Sequence, residues 1–433
     1  MSDSLRIADV RALEVLDSRG NPTVYAEVEL SGGAGGAAFV PSGASTGARE
    51  AVELRDGDAA RYLGRGVLTA VRSIERELRE DVLGRPADDQ RALDAAMCEL
   101  DGSENKSRLG ANAILAVSLA AARAAAQGRG MPLHEHLRAL YSSQGGQAKP
   151  LLPLPMMNIL NGGAHADNNV DIQEFMVMPW GFGSFAESLR AGSEIFHHLK
   201  GLLNEGGFAT GVGDEGGFAP DLDSNAQALD LVHQAIDRSG HADAVSLALD
   251  CAASEFHSDG VYRVDGASLS ASDWFGQLGE MADAYPIASI EDGVPEDEWE
   301  HWGELTRTLG RRVQLVGDDV FSTNPEIFAK GIDAGIGNAI LVKLNQIGTL
   351  SETIETVVMA QKAGYGVVIS HRSGDTEDTT IADLCVACGA GQIKTGSLSR
   401  SERTAKYNRL LMIERASSGA LDFAGRSAVV QTA

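Results

Sequence analysis

Lysine is scarce in this 433-residue chain: there are 8, against 28 arginines. Cysteine is scarcer still, with Cys98, Cys251, Cys385 and Cys388 the whole complement, and aromatics make up only 5%. So few cysteines exclude a disulfide-built scaffold. Cys385 and Cys388 form a C-x-x-C, but the pair lies in the apolar helical stretch IADLCVACGAG, with no second pair and no histidine at ligand spacing. They are expected to behave as small buried hydrophobes. No apolar run reaches the ~18 residues that would suggest a membrane span. The start, MSDSLRIADVRALEV, lacks a basic flank followed by an apolar core, so no secretion signal is expected and the chain is read as cytoplasmic. A net charge of −25 makes nucleic acids and anionic membranes poor partners.

Against that background, six short apolar runs in the second half each end in a charged residue. They are 245–250 (VSLALD), 287–291 (IASIE), 313–318 (VQLVGD), 339–343 (AILVK), 367–371 (VVISH) and 391–394 (GQIK). Each gap is long enough for a helix, which is the rhythm of a (β/α)8-type barrel with its chemistry at the carboxyl ends of the strands. Residues 1–140 read as a smaller α+β domain: an alternating strand meander over 5–40, then helical periodicity over 66–83 and 110–126. Residues 141–150 (YSSQGGQAKP) read as a linker, and 141–433 as the barrel domain. The small-residue stretch 41–47 (PSGASTG) is read as a mobile loop.

The strand ends carry Asp250, Glu291, Asp318, Lys343, His371 and Lys394 in that order. Three converging carboxylates suit an oxygen-liganded magnesium ion. Two of the few lysines fall at strand ends, and lysine, unlike arginine, has a pKa that burial brings into the range of a useful base. His165 and the Gln173-Glu174 pair flank an Asn/Gly-rich loop. His371-Arg372-Ser373 sets three hydrogen-bonding groups in a row, with Arg372 suited to grip phosphate or carboxylate. Residues 211–216 fit G-x-G-x-x-G, but Pro220 opposes the helix a dinucleotide loop requires, so the stretch is read as a rigid turn presenting Glu215.

These residues resemble enolase over essentially the whole chain. The resemblance is carried by LDSRGNPTV (16–24), PSGASTG (41–47), LGANAIL (109–115), NGGAHADNNVDIQEFM (161–176), GDEGGFAP (213–220), ASEF (253–256), SIED (289–292), GDD (317–319), VKLNQIGT (342–349), SHRSG (370–374) and IKTGSLSRSERTAKYN (393–408). It implies a lyase of glycolysis and gluconeogenesis that interconverts 2-phosphoglycerate and phosphoenolpyruvate. On that resemblance Asp250, Glu291 and Asp318 hold the tighter of two magnesium ions, and Ser42 contributes to a second that arrives with substrate. Lys343 takes the proton from carbon 2. Glu215, with Glu174 beside it, assists loss of hydroxide from carbon 3. His165, Gln173, Glu174, Lys343, His371, Arg372, Ser373 and Lys394 line the substrate. The loop at 41–47 becomes a lid, and the family's dimers or rings of dimers are expected, with the turn at 17–22 at the contact.

The chemistry is consistent with such a set. A proton beside a carboxylate is weakly acidic, so cations are needed as charge develops; the pairing of a lysine base with magnesium is a documented pattern for this superfamily. Mg²⁺ and Lys394 are expected to lower the pKa of Lys343, and Glu174 and Glu215 to share one proton. Gly293-Val294 replaces the family's usual Pro-Leu, Asp375 its usual Glu and Ala116 its usual Gly. Two alternatives stay open: a racemase or acid-sugar dehydratase of the same superfamily, and a non-catalytic paralogue.

Overall fold

The computed structural model describes residues 3–43, 47 and 49–430. Ala44, Ser45 and Thr46, the centre of the expected lid, lie outside the described residues. The chain begins with an antiparallel meander, β1 (Ile7–Leu16), β2 (Pro22–Leu30) and β3 (Gly35–Phe39). Val24, Ala26, Val28 and Leu30 of β2 face inward, against the alanine-rich helix Ala111–Gly128, as the periodicity predicts. Contact there is close: a Cβ on Gly36 would lie 2.2 Å from the backbone nitrogen of Ala124. Gly36→Val therefore has no room without moving that helix.

The second domain is a closed eight-stranded barrel with helices around it, so the chain is an α/β protein of the TIM-barrel type with a smaller N-terminal domain. Its strands are β4 (Leu154–Asn161), β5 (Glu174–Met178), β6 (Ser246–Asp250), β10 (Ile287–Glu291), β11 (Gln314–Gly317), β12 (Ala339–Val342), β13 (Gly366–Ser370) and β14 (Gly391–Lys394). A small antiparallel sheet, β7 (His257–Ser258), β8 (Val261–Val264) and β9 (Ala267–Leu269), intervenes. Around the ring the order is β10-β11-β12-β13-β14-β4-β5-β6. Every barrel strand is buried along its whole length, which is why each reads as an unbroken apolar run rather than an alternation. The interior holds Met156, Met176, Leu341 and Val368 among others, beside a polar layer in which Gln314 and Gln392 exchange hydrogen bonds of 2.9 Å.

Two features depart from a uniform barrel and from the sequence reading. β5 runs antiparallel to both neighbours, so its first residue, Glu174, lies on the same rim as the last residues of the parallel strands. Tyr141, expected in the linker, lies in the last turn of the helix Leu133–Ser143 and is fully buried. Its hydroxyl bonds Gln361 of the barrel domain and accepts from Ala148 N at 3.0 Å. Cys385 and Cys388 are buried with their thiols pushed up by burial, as small hydrophobes would be. No helix among the described residues is long and apolar enough to cross a membrane.

His136, in the same helix as Tyr141, is buried with neither ring nitrogen hydrogen-bonded among the described residues. Burial lowers its pKa to about 4. A folded-state value below the unfolded value of about 6.5 means stability is lost as pH falls from 6.5 toward 4, because only the unfolded chain takes the proton. The loss from this residue is about 3 kcal/mol at most. Urea unfolding at pH 7 and pH 5 is expected to show a smaller acid loss in His136→Phe than in the parent.

Candidate active site at the barrel rim

The carboxyl ends of the parallel strands bring the expected residues together. Asp250 and Glu291 end neighbouring strands and are register partners. Asp318, Lys343 and His371 follow β11, β12 and β13 by one residue each, and Lys394 ends β14. His165 comes from the β4–β5 loop and Glu215 from the GDEGG turn. All of these but Glu291, with Gln173, Glu174, Arg372 and Ser373, line one polar cleft, and Glu291 reaches it through its contact with Lys394. A separate groove on the helical surface, lined by Arg91, Gln144, Ile332 and Lys362, gathers no comparable set of charges.

Lys394 Nζ lies 2.9 Å from Asp250 Oδ2, 2.9 Å from Glu291 Oε1 and 3.2 Å from Glu174 Oε1. Burial acts to lower its pKa, but the three acids raise it well above the ordinary value. Gln173 Nε2 donates to Asp250 Oδ2 at 3.2 Å. Glu291 is pushed well above the carboxylate range by burial and by Asp250. One oxygen of Glu291 and one of Glu174 are buried with no hydrogen-bond partner among the described residues. Buried carboxylate oxygens without donors are costly, and an all-oxygen donor set matches a hard divalent cation. The residues present therefore fit a divalent cation of that kind.

A second acidic group adjoins the first. Oxygens of Asp292, Asp318 and Asp319 all lie within 4.8 Å of one another, a cluster compatible with a divalent cation. Asp292 accepts the backbone N–H of Asp318 at 2.9 Å and of Asp319 at 3.0 Å, and its own φ of 39° is left-handed. That strain is tolerated where surrounding bonds fix the backbone, so Asp292 holds the turn that aims Asp318.

Lys343 Nζ contacts Asp318 Oδ2, and Gln346 Nε2 donates to Asp318 Oδ1 at 2.9 Å. The expected lowering of the Lys343 pKa rests on Mg²⁺ and Lys394; among the protein groups alone the balance runs the other way. Burial pushes it down, as does the Arg372 charge, but Asp318, Asp319 and Glu291 together outweigh them, and the net shift is upward.

Glu174 and Glu215 flank His165, whose Nδ1 lies 3.3 and 3.6 Å from them. Burial and the neighbouring Glu215 push Glu174 up to about 7. Burial also acts to raise Glu215, but His371 and His165 on either side, and Arg403, hold it well below the usual range. Of the two, Glu174 is therefore the one that keeps a proton to higher pH. Asn158 Nδ2 donates to Glu215 Oε2 at 3.1 Å.

The N-terminal domain reaches this rim. Ser42 and Gly374 exchange backbone hydrogen bonds of 2.7 and 2.8 Å, and a Cβ on Gly374 would lie 2.7 Å from Ser42 O. Ser42 Oγ donates to Glu53 Oε2 at 3.1 Å and accepts from Arg55 at 3.0 Å. Arg372 makes two bonds to Glu50, of 2.9 and 3.1 Å, and one of 3.1 Å to Asn345. Glu50, Asp292 and Arg403 escape a sequence reading because they act on residues far away in the chain. The only signals for them are Glu50's place just after the 41–47 loop and Arg403's inside RSER.

If the rim holds a cation, added magnesium raises the unfolding midpoint, by the equivalent of about 2.7 kcal/mol at a hundredfold excess over Kd. Glu291→Gln is expected to lose most of that gain in a thermal-shift titration against a chelator control.

Comparison with known families agrees with this architecture. Residues 149–432 match the family model described as enolase, C-terminal TIM barrel domain. Residues 7–137 match that described as enolase, N-terminal domain. With both domains covered in order and charged groups gathered at the barrel rim, the chain belongs to the enolase superfamily.

Proposed function

We propose that this protein is a phosphopyruvate hydratase, interconverting 2-phosphoglycerate and phosphoenolpyruvate in glycolysis and gluconeogenesis. The observation that carries the reading is an opposition. Lys343 follows β12 and Glu174 begins β5, four strands away in a ring of eight and therefore across the mouth from each other. A substrate held between them presents one face to an amine and the other to a carboxylic acid pair, as removal of a proton and departure of a hydroxide from adjacent carbons require.

Lys343 in its neutral form takes the proton from carbon 2. The proton shared by Glu174 and Glu215 passes through Glu215 to the hydroxide leaving carbon 3. The carbon–hydrogen and carbon–oxygen bonds break, a carbon–carbon double bond forms, and water departs. His165 bridges the two carboxyls and orients the shared proton. Lys394 and Gln173 bind substrate oxygens, and Arg372, Ser373 and His371 take the phosphate side. Magnesium, two ions per turnover complex, supplies when bound the positive charge that steadies the substrate carboxylate; Asp250, Glu291 and Asp318 are the proposed ligands of one ion and Ser42 of the other. The loop at 41–47, joined to the rim through Ser42 and Gly374, is the proposed lid over the closed site.

The same reading carries a cytoplasmic location and a homo-oligomer, a dimer or a ring of dimers. Leu13 and Leu16, exposed on the strand entering the 17–22 turn, support a contact there. The test is turnover of 2-phosphoglycerate, followed by enol-phosphate absorbance, with magnesium and then with excess chelator. Magnesium-dependent conversion supports the assignment. A magnesium-loaded protein that leaves 2-phosphoglycerate unchanged refutes it.

A further inference from the structure

Arg403 lies in the helix Ser401–Ser417, outside the barrel strands, and is wholly buried. Nη1 lies 2.5 Å from His371 Nδ1 and donates to Arg372 O at 2.6 Å. Nη2 donates to Ser373 O at 2.6 Å and to Asp214 O at 3.1 Å. One side chain thus ties three consecutive residues of the substrate wall to the residue preceding Glu215. Gly396 makes room for this pair: a Cβ there would lie 2.8 Å from Arg403 Cδ and 3.0 Å from His371 Cε1.

A guanidinium has donors only and stays charged. The atom it meets on His371 must therefore offer a lone pair, so Nδ1 carries no proton. The ring proton is then on Nε2, and a second one would set N–H against N–H. Nε2 lies 3.3 Å from Glu215 Oε1 and makes no well-formed hydrogen bond among the described residues. It is a single donor left over beside the acid pair. Asp375 is the other charged group acting on the ring, and the His371 main-chain N–H donates to Lys394 O at 2.9 Å. Burial, more than Arg403, lowers the His371 pKa to about 4, in keeping with a neutral ring.

We propose that Arg403 is a positioning residue that locks His371 as the neutral Nε2–H tautomer and fixes the substrate wall against the Glu215 turn. The proposal rests on the reading of His371 as a substrate-wall residue. A neutral ring there offers a substrate oxygen one N–H donor from Nε2. Lysine cannot replace Arg403, because one nitrogen does not span acceptors on two separate segments.

The test uses the full-length protein with ¹⁵N-histidine, the His371 signals being those lost in His371→Gln. The expected spectrum near neutrality shows an unprotonated Nδ1 and a protonated Nε2. A protonated Nδ1, in either the other tautomer or the imidazolium, overturns the proposal. In Arg403→Lys, kcat for 2-phosphoglycerate is expected to fall about 10- to 100-fold, the range seen when supporting partners of a site are removed. The His371 ring should also begin to titrate nearer the ordinary histidine value. Unchanged kcat and an unchanged His371 spectrum in that variant also overturn it. Arg403→Met is the second variant; if it fails to fold, the parent spectrum and the lysine variant still decide. The spectrum does not depend on turnover. The predicted tautomer in a protein that ignores 2-phosphoglycerate counts against the hydratase reading alone, whereas turnover with a protonated Nδ1 counts against this inference alone.

Discussion

Lys343→Ala should lower kcat for 2-phosphoglycerate by about 10⁴-fold, the upper end of what a positioned general base contributes. Lys343 faces Glu174 across the ring, and among the described residues the acid at contact distance from it is Asp318. Two controls separate loss of the base from loss of the site. Magnesium should still raise the unfolding midpoint of the variant, because the substitution leaves every proposed metal ligand in place. Solvent deuterium should no longer enter carbon 2 of the substrate. Glu215→Gln is expected to give the complementary result, with deuterium still entering carbon 2 while dehydration falls. A Lys343→Ala protein that keeps exchanging that proton would remove lysine from the role of base. Equal loss of exchange in both variants would mean that removal of the proton and departure of the hydroxide are not divided between these residues.

Glu50→Ala should be the most destabilising of the rim substitutions, by about 3–5 kcal/mol, the usual cost of removing one partner of a buried ion pair. Both side chains are buried, at 4% and 5% exposure for Arg372 and Glu50. The loss falls on the join between domains, since Glu50 comes from the N-terminal domain and Arg372 from the end of β13. Glu50→Gln keeps an acceptor for Arg372 and should cost less. Because the guanidinium is held in place by Glu50, KM should rise in both variants, more in the alanine one. Urea unfolding and initial rates measure the two effects separately. An alanine variant as stable as the parent would show that Arg372 does not depend on Glu50.

The barrel was legible because its strands are buried on both faces. Each reads as a short apolar run, and the charged residue closing each run lies where the chain emerges at the rim. β4 and β5 were harder to see. β5 reverses direction, so its charged residue, Glu174, stands at the beginning of the apolar run rather than at its end, and an Asn-rich loop separates the two strands. Tyr141 looked like the start of a linker because SSQGGQ follows it, yet its ring is buried and its hydroxyl is bonded across the domain boundary. The upward pull of the acids on Lys343 was not legible, because its setting depends on which side chain lies nearest, and Asp318 is separated from it by 25 positions in sequence. Glu50 and Arg403 were invisible for a stronger form of the same reason: nothing local marks an arginine that clamps His371 or a glutamate that clamps Arg372. Sequence spacing exposes what a strand carries to its own end, and packing decides what touches it there.

In the proposed site, carboxylates from neighbouring strands converge on one cation at the mouth of the barrel. The most direct test is an anomalous-scattering map from crystals grown with Mn²⁺ and a non-reacting phosphonate analogue of 2-phosphoglycerate. The account predicts a peak within bonding distance of Asp250, Glu291 and Asp318, with Lys394 turned from the first two acids toward the analogue. A peak held by Asp292 and Asp319 without Asp250 and Glu291, or no peak at the rim at all, would contradict it.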